Sequence, residues 1–312
     1  MRKTIRGPRK ETMERINALK TFLSPDGPIS KRAAMYRLLS MGLLDSTKDF
    51  PNFNRALNRA LESGVYTDEH FDDDCFEDNR RRVELASTWA NLKEFKTETV
   101  QWYRRDFWQD QPRRVEVWLE KDTAAFLVQD VTDKYAVPLR ISSGHYSRTF
   151  LWKIARDLSG TSVPLVILYI GDFDPSGLDI ERAAKRGSNG RDGVADFLEK
   201  DFGWASGRFE KQVTWQRTGV TEDEYSTMPK KARVSLKDDD AADGKKKKGD
   251  TRAKEFKAKY ADYGVEVEAL EVLQPGGLAL RLEDEILKHI DKRAWSGSAR
   301  QEKKDLRTLL AA

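Results

Sequence analysis

The sequence predicts an α/β protein built on a mainly parallel, Rossmann-like sheet and preceded by a basic segment of short helices. Two observations carry that reading. From Arg114 onward the chain alternates strand, helix, strand, helix, strand, helix, and such alternation implies a parallel sheet with ligands at the carboxyl ends of its strands. Residues 1–60 instead hold thirteen Lys and Arg against five Asp and Glu, so with a net charge of +4 overall the other 252 residues carry −4. A basic module joined to a near-neutral body suggests a polyanion-binding segment attached to something else.

Residues 10–70 read as short helices separated by a tight turn. Ser30 is placed to cap a helix running from Lys31 to about Met41. Ala34, Met35, Leu38, Leu39 and Met41 form its apolar side, and Tyr36 falls roughly 150° from the centre of that side. The spacing therefore predicts a solvent-facing phenol, with Arg32 one turn before it and Ser40 one turn after. In the next helix Phe50, Phe53, Ala56, Leu57, Ala60 and Leu61 make an apolar stripe, with Pro51 near its start. Asn54, Arg55, Asn58 and Arg59 lie off that stripe and are residue types suited to groove and phosphate contacts.

Residues 84–109 read as one long aromatic helix, used for core packing and docking rather than base stacking. Strands are predicted at 115–119, 137–141 and 163–170, the last almost wholly apolar as expected when both sheet faces are covered. Helices are predicted at 122–135, at 147–158 and from about Leu178. Residues 236–254, with Asp238-Asp-Asp240 and Lys245-Lys-Lys-Lys248, read as a mobile surface loop. A strand at 265–270 and an amphipathic helix at 278–293 follow. The predicted organisation is an N-terminal unit over 1–83, a connector over 84–112 and an α/β unit over 113–312.

Composition excludes several classes. The longest apolar run, 164–170, is too short to span a bilayer, and no secretory leader is visible, so a cytoplasmic, membrane-free protein is expected. The single cysteine, Cys75, excludes a disulfide framework, and three histidines leave too few soft ligands for structural zinc. A bound metal must be held by carboxylates, which favours Mg2+, Mn2+ or Ca2+.

Glu120 directly follows the first predicted strand of the α/β region, and Asp172 and Asp174 directly follow the third. In a parallel sheet these turns open on the same edge, so the three carboxylates are expected to converge, with Gly171 permitting a tight approach. Few oxygen donors and open water positions suit a catalytic Mg2+ beside phosphate.

The segments Val115-Glu-Val-Trp-Leu-Glu-Lys-Asp122 and Ile170-Gly-Asp-Phe-Asp-Pro-Ser-Gly-Leu-Asp179 closely resemble the Toprim domain of type IIB topoisomerase A subunits and of the related meiotic double-strand-break transesterase. The turn Ser142-Ser-Gly-His-Tyr-Ser147 and the segments 251–256 and 265–270 fit the same family, over roughly residues 25–295. Ser30-Lys-Arg-Ala-Ala-Met-Tyr36 matches the family's nucleophile motif, although Met35 stands where many relatives have a first tyrosine. The resemblance implies a CAP-like winged helix followed by a Toprim domain, with Glu120, Asp172 and Asp174 as Mg2+ ligands and Mn2+ as the alternative.

It further implies that Tyr36 attacks a DNA phosphorus, assisted by Arg32 and Glu120, to leave a 5′-phosphotyrosyl double-strand break. Arg37, Asn54, Arg55, Asn58 and Arg59 are the expected DNA contacts. The implied partners are double-stranded DNA, a second copy of the chain in a homodimer, and a separate ATPase B-type subunit, in a nucleoid setting. No Gly-x-x-x-x-Gly-Lys-Ser/Thr loop is present. The rival expectations are a hydrolytic Toprim nuclease and a non-catalytic DNA-binding protein.

Overall fold

The computed structural model describes residues 10–23, 29–63, 71, 75–76, 87–188, 190–236 and 251–311. Its centre is a four-stranded, all-parallel sheet in the order β2-β1-β3-β4, from β1 (Arg114–Leu119), β2 (Leu139–Ile141), β3 (Leu165–Ile170) and β4 (Val213–Arg217). The α/β class and the parallel sheet are as the sequence predicted. β1 begins one residue earlier than predicted, β2 and β3 each begin two residues later, and β4 was not anticipated.

All six residues of β3 are buried, and their alternation sorts them onto two faces. Val166, Leu168 and Ile170 join one core with Val115, Val117 and Leu119 of β1. Leu165, Ile167 and Tyr169 join a second core with Trp118. The first core continues into the N-terminal helices α1 (Lys10–Leu23), α2 (Lys31–Ser40) and α3 (Phe50–Ser63). The second is closed by α6 (Arg148–Ser159) and α8 (Val194–Lys200), with Ala184 contributed by α7 (Pro175–Arg186).

Because β2 and β3 lie on opposite sides of β1, the chain reverses its direction of winding between β1 and β3. That is the topological switch point, where flanking loops diverge and leave a crevice at the strands' carboxyl ends. The register pairs Leu119 with Ile170, and the Glu120 N–H continues the ladder to the Ile170 carbonyl at 3.0 Å. Glu120 and the turn after β3 are thereby brought side by side.

The predicted cap at Ser30 is present: its hydroxyl accepts the Ala33 N–H at 3.2 Å. The apolar stripe of α3 is buried at Phe50, Phe53, Leu57, Ala60 and Leu61, while Ala56 is half-buried. Residues 64–70, 72–74 and 77–86, where a wing would lie, are outside the described residues, and so is the acidic run Asp72–Asp74. Among the described residues a parallel bridge joins Ile29 to Phe76 there.

Several predicted elements differ. The long aromatic helix is the shorter α4 (Leu92–Trp102), ended by extended backbone at Tyr103. Beyond it Tyr103, Arg104 and Trp108 bond outward to Asp305, the Lys134 carbonyl and the Tyr135 carbonyl, and these contacts replace helical continuation. Phe107 and Trp108 dock on Trp295 as expected of packing aromatics, whereas Leu92 and Trp102 are exposed. The stretch read as a strand at 265–270 bridges Phe173 at Val265 and then turns into a 3-10 turn and α12 (Leu270–Leu273). Residues 237–250 of the predicted loop, with both charge runs, are outside the described residues, and α11 (Thr251–Lys259) occupies its end. The predicted helix at 278–293 divides into α13 (Gly277–Leu287) and the start of α14 (Lys292–Ala311).

Candidate functional site

Two of the three carboxylates meet at the switch point. Glu120 is buried, and its Oε2 accepts the Asp172 N–H at 3.1 Å. The approach depends on glycine: a Cβ at Gly171 would stand 2.5 Å from Glu120 Oε2, and one at Gly177 would stand 2.4 Å from the Asp172 carbonyl oxygen. Asp172, also buried, accepts the Val267 N–H on Oδ1 at 2.8 Å and meets Lys121 Nζ with Oδ2 at 2.5 Å. Arg217 at the end of β4 donates to the Gly171 and Asp172 carbonyls and pairs with Glu181, which holds the turn in place.

Asp174 follows β3 as expected, and its charge also acts on Glu120. It is half-buried and is the N-cap of α7, its Oδ1 accepting the Gly177 N–H at 2.7 Å. Among the described residues no three His, Cys, Asp or Glu side chains close into a set able to hold a metal by themselves. A lysine ammonium stands on Asp172 and a helix start engages Asp174, so both carboxylates also have partners within the protein.

The donor chemistry nevertheless suits a hard cation. Glu268 is fully buried with Oε2 lacking a hydrogen-bond partner, 3.7 Å from Lys121 Nζ, and Glu266 Oε1 lies 3.9 Å from the same ammonium. Burial, then the charge on Asp172, pushes the Glu120 carboxyl up to about 8. Burial pushes Asp172 up to about 7 even though Lys121 acts to lower it. Burial acts to lower Lys121, but Asp172, Glu268 and Glu266 outweigh it and hold the ammonium charged. Two buried acids whose charged forms are disfavoured are stabilised as carboxylates by added positive charge. Glu120, Asp172 and the free oxygen of Glu268 are all oxygen donors of the kind Mg2+ takes.

Tyr36 is not solvent-facing. Its side chain is completely buried, edge-on to Phe50 with ring centroids 4.9 Å apart. The helical-wheel expectation fails because both sides of α2 are covered: α1 and α3 pack on one, the 3-10 turn at 267–269 and α12 on the other. The phenol oxygen is not left among apolar groups, however. It donates to Glu266 Oε2 at 2.8 Å, and Arg32 pairs with the same oxygen. A continuous chain of contacts thus runs from Tyr36 through Glu266 and Lys121 to Asp172. Burial, then the charge of Glu266, pushes the Tyr36 phenol well above its ordinary value. Burial acts to raise Glu266, but Lys121, Arg32 and the Tyr36 hydroxyl together hold it below the ordinary carboxylate range.

The expected DNA contacts divide. Arg55 and Arg59 are exposed on α3, with Arg55 bonded to Asn52 at 2.5 Å. Asn58 accepts from Lys31 Nζ at 2.7 Å, and Asn54 Oδ1 is buried without a partner. Arg37 is a correction: its side chain is 14% exposed and pairs with the buried Glu271 at 3.3 Å, because α12 covers that side of α2.

Sequence reasoning missed Lys121, Glu266, Glu268 and Arg217. Lys121 adjoins Glu120 in the chain, a signal that was legible. Glu266 and Glu268 alternate with valines, which reads as the solvated face of a strand. The chain matches no protein-family model and no curated protein.

Proposed function

We propose that the chain cleaves DNA by phosphoryl transfer at the β1–β3 edge, with Tyr36 as nucleophile, in the manner of the type IIB topoisomerase A subunits it resembles. On this reading the N-terminal helices are a winged-helix unit, the α/β unit is a Toprim domain, and two copies act together on duplex DNA. A separate ATPase B-type subunit is needed only for strand passage. The observation that carries the reading is the Tyr36–Glu266 hydrogen bond, which ties the phenol to the acid cluster of the same chain.

Glu266 is charged and accepts from the phenol, so it can take the Tyr36 proton as Oη attacks phosphorus. The P–Oη bond forms, the P–O3′ bond breaks, and the leaving 3′-oxygen takes a proton from solvent water, so the net step moves the Tyr36 proton to the 3′-hydroxyl. Arg32 is 40% exposed and stands beside the phenol, where its guanidinium can hold a non-bridging phosphate oxygen. Lys121 adds a second fixed positive charge toward the reacting phosphate. Glu120 and Asp172, with Asp174 or Glu268 completing the set, would hold Mg2+, which when bound supplies charge neutralisation at the phosphate. Because Tyr36 is buried, DNA engagement must open its cover without breaking the Tyr36–Glu266 contact.

The test is incubation of internally labelled supercoiled DNA with the chain and Mg2+, followed by a denaturing detergent stop. Protein covalently joined to 5′ ends, abolished in Tyr36→Phe, is expected. A hydrolytic nuclease is the second reading, favoured by the complete burial of Tyr36. It requires Tyr36→Phe to keep cutting and to leave free 5′ phosphates.

A further inference from the structure

The carboxylate edge adjoins a cationic hollow. Asp179 lies five residues after Asp174 on α7, about 8 Å further along the helix. It is only 5% exposed. Its carboxylate accepts from His145 Nε2 at 3.1 Å and Arg252 Nη1 at 2.7 Å, and also from Arg182. Burial acts to raise this carboxyl, but the three donors hold it down at about 2. One buried negative charge therefore anchors two guanidinium groups and an imidazole. Each donor also keeps an open side: the side chains of Arg182, His145 and Arg252 are 58%, 46% and 41% exposed.

These groups line a cavity of about 530 Å³, to which Arg148 and Arg191 add further positive charge. The second acid on its wall, Asp192, pairs with Lys200. A smaller hollow of about 400 Å³ that shares Asp179, Arg182 and Arg252 is also lined by Glu255 and Lys259. The loop bearing His145 is fastened to the acid edge, since the Gly144 N–H and the Ser142 hydroxyl both donate to the Glu120 carbonyl at 3.1 Å.

We propose that this hollow is a backbone clamp: Arg182 and Arg252, fixed by Asp179 and flanked by Arg148 and Arg191, bind phosphates of the strand whose scissile bond lies at the Glu120–Asp172 edge. The inference rests on the reading of the chain as a DNA-cleaving protein and deepens it by naming the surface that aligns the strand. Guanidinium forks match phosphate oxygens in pairs, and a buried carboxylate that holds them beforehand reduces the ordering lost on binding. The clamp is built of phosphate-type contacts, so it positions the strand without selecting sequence.

The test uses the full chain in chelator, so that binding is read without cleavage, with a fluorescent DNA duplex and the matching single strand titrated across a range of salt. Arg182→Gln/Arg252→Gln is expected to weaken binding about 10-fold and to flatten the salt dependence by about two phosphate contacts, at roughly 0.9 in log–log slope each. Arg191→Gln, which leaves the Asp179 network intact, is expected to flatten it by about one contact. Unchanged affinity and slope in both variants would overturn the clamp. So would deoxyadenosine monophosphate or inorganic phosphate competing as strongly as the oligonucleotide, since the hollow would then be a mononucleotide or phosphate site. A parent protein that shows the arginine-dependent binding yet never cuts with Mg2+ sinks the cleavage reading and leaves the clamp standing. A parent that cuts while both variants bind unchanged sinks the clamp alone.

Discussion

At the scale of single residues, the acid edge is held by two opposed demands, close approach and charge repulsion. A methyl group at position 171 would meet Glu120 Oε2 at 2.5 Å and the Tyr169 ring at 2.7 Å. Gly171→Ala must therefore displace a buried carboxylate or a buried ring, and a loss of about 2–4 kcal/mol in denaturant unfolding is expected. Glu120→Gln should act in the other direction. It removes a charge disfavoured by burial and by Asp172 but keeps an oxygen to accept the Asp172 N–H. The metal-free variant is expected to be more stable than the parent near pH 8, by on the order of 1 kcal/mol or more, while cleavage is lost. A variant less stable than the parent at that pH would show that the repulsion is already relieved. Lys121→Met leaves Asp172, Glu266 and Glu268 without their shared ammonium. A cost of about 2–4 kcal/mol is expected, somewhat below that of breaking a fully buried pair because a quarter of the lysine side chain is exposed.

At the scale of elements, two helix starts carry the site. α2 begins at the Ser30 cap, and α7 begins at the Asp174 cap, one residue beyond the acid turn. Ser30→Ala should cost about 1 kcal/mol by thermal or chemical unfolding, with no change in unfolding slope. Asp174→Asn retains a capping oxygen, so its stability should stay within about 0.5 kcal/mol of the parent; a large loss of cleavage with little loss of stability would mark Asp174 as a participant in the chemistry. The Ser30 cap, the first three strands and the turn at 171–175 were legible because each follows from local chemistry: Ser30 before an apolar-periodic run, Gly171 and Pro175 around a turn. The end of α4 and the shape of residues 265–273 were not. Both are decided by partners far away in the chain, Asp305 and Tyr135 for the first and Asp172 and α2 for the second.

At the scale of the whole molecule, the paired acids make stability depend on pH and on divalent cations. Glu120 rises from its ordinary 4.5 to about 8 and Asp172 from 3.8 to about 7, so between those values the folded chain holds protons that the unfolded chain releases. Their contribution is fully present below about pH 4 and is lost as pH rises through about 7 to 8. Without divalent cations the melting temperature should therefore carry a falling component from pH 5 to pH 8. Added Mg2+ should raise it more at pH 8 than at pH 5, through preferential binding to the folded, deprotonated site. Calorimetry at the two pH values checks this, and an equal Mg2+ effect at both would count against cation binding at Glu120 and Asp172.

The amino-acid order alone determined the parallel α/β arrangement, the capped helix that carries Tyr36, and the meeting of Glu120 with Asp172. All three rest on short-range periodicity and on the rule that parallel strands open at one edge. Only the tertiary structure decided that Tyr36 is covered, that Asp174 caps a helix, and that Lys121, Glu266 and Glu268 complete the acid cluster. A helical wheel assigns one buried side to a helix, and α2 acquires a second when a segment some 230 residues later folds over it.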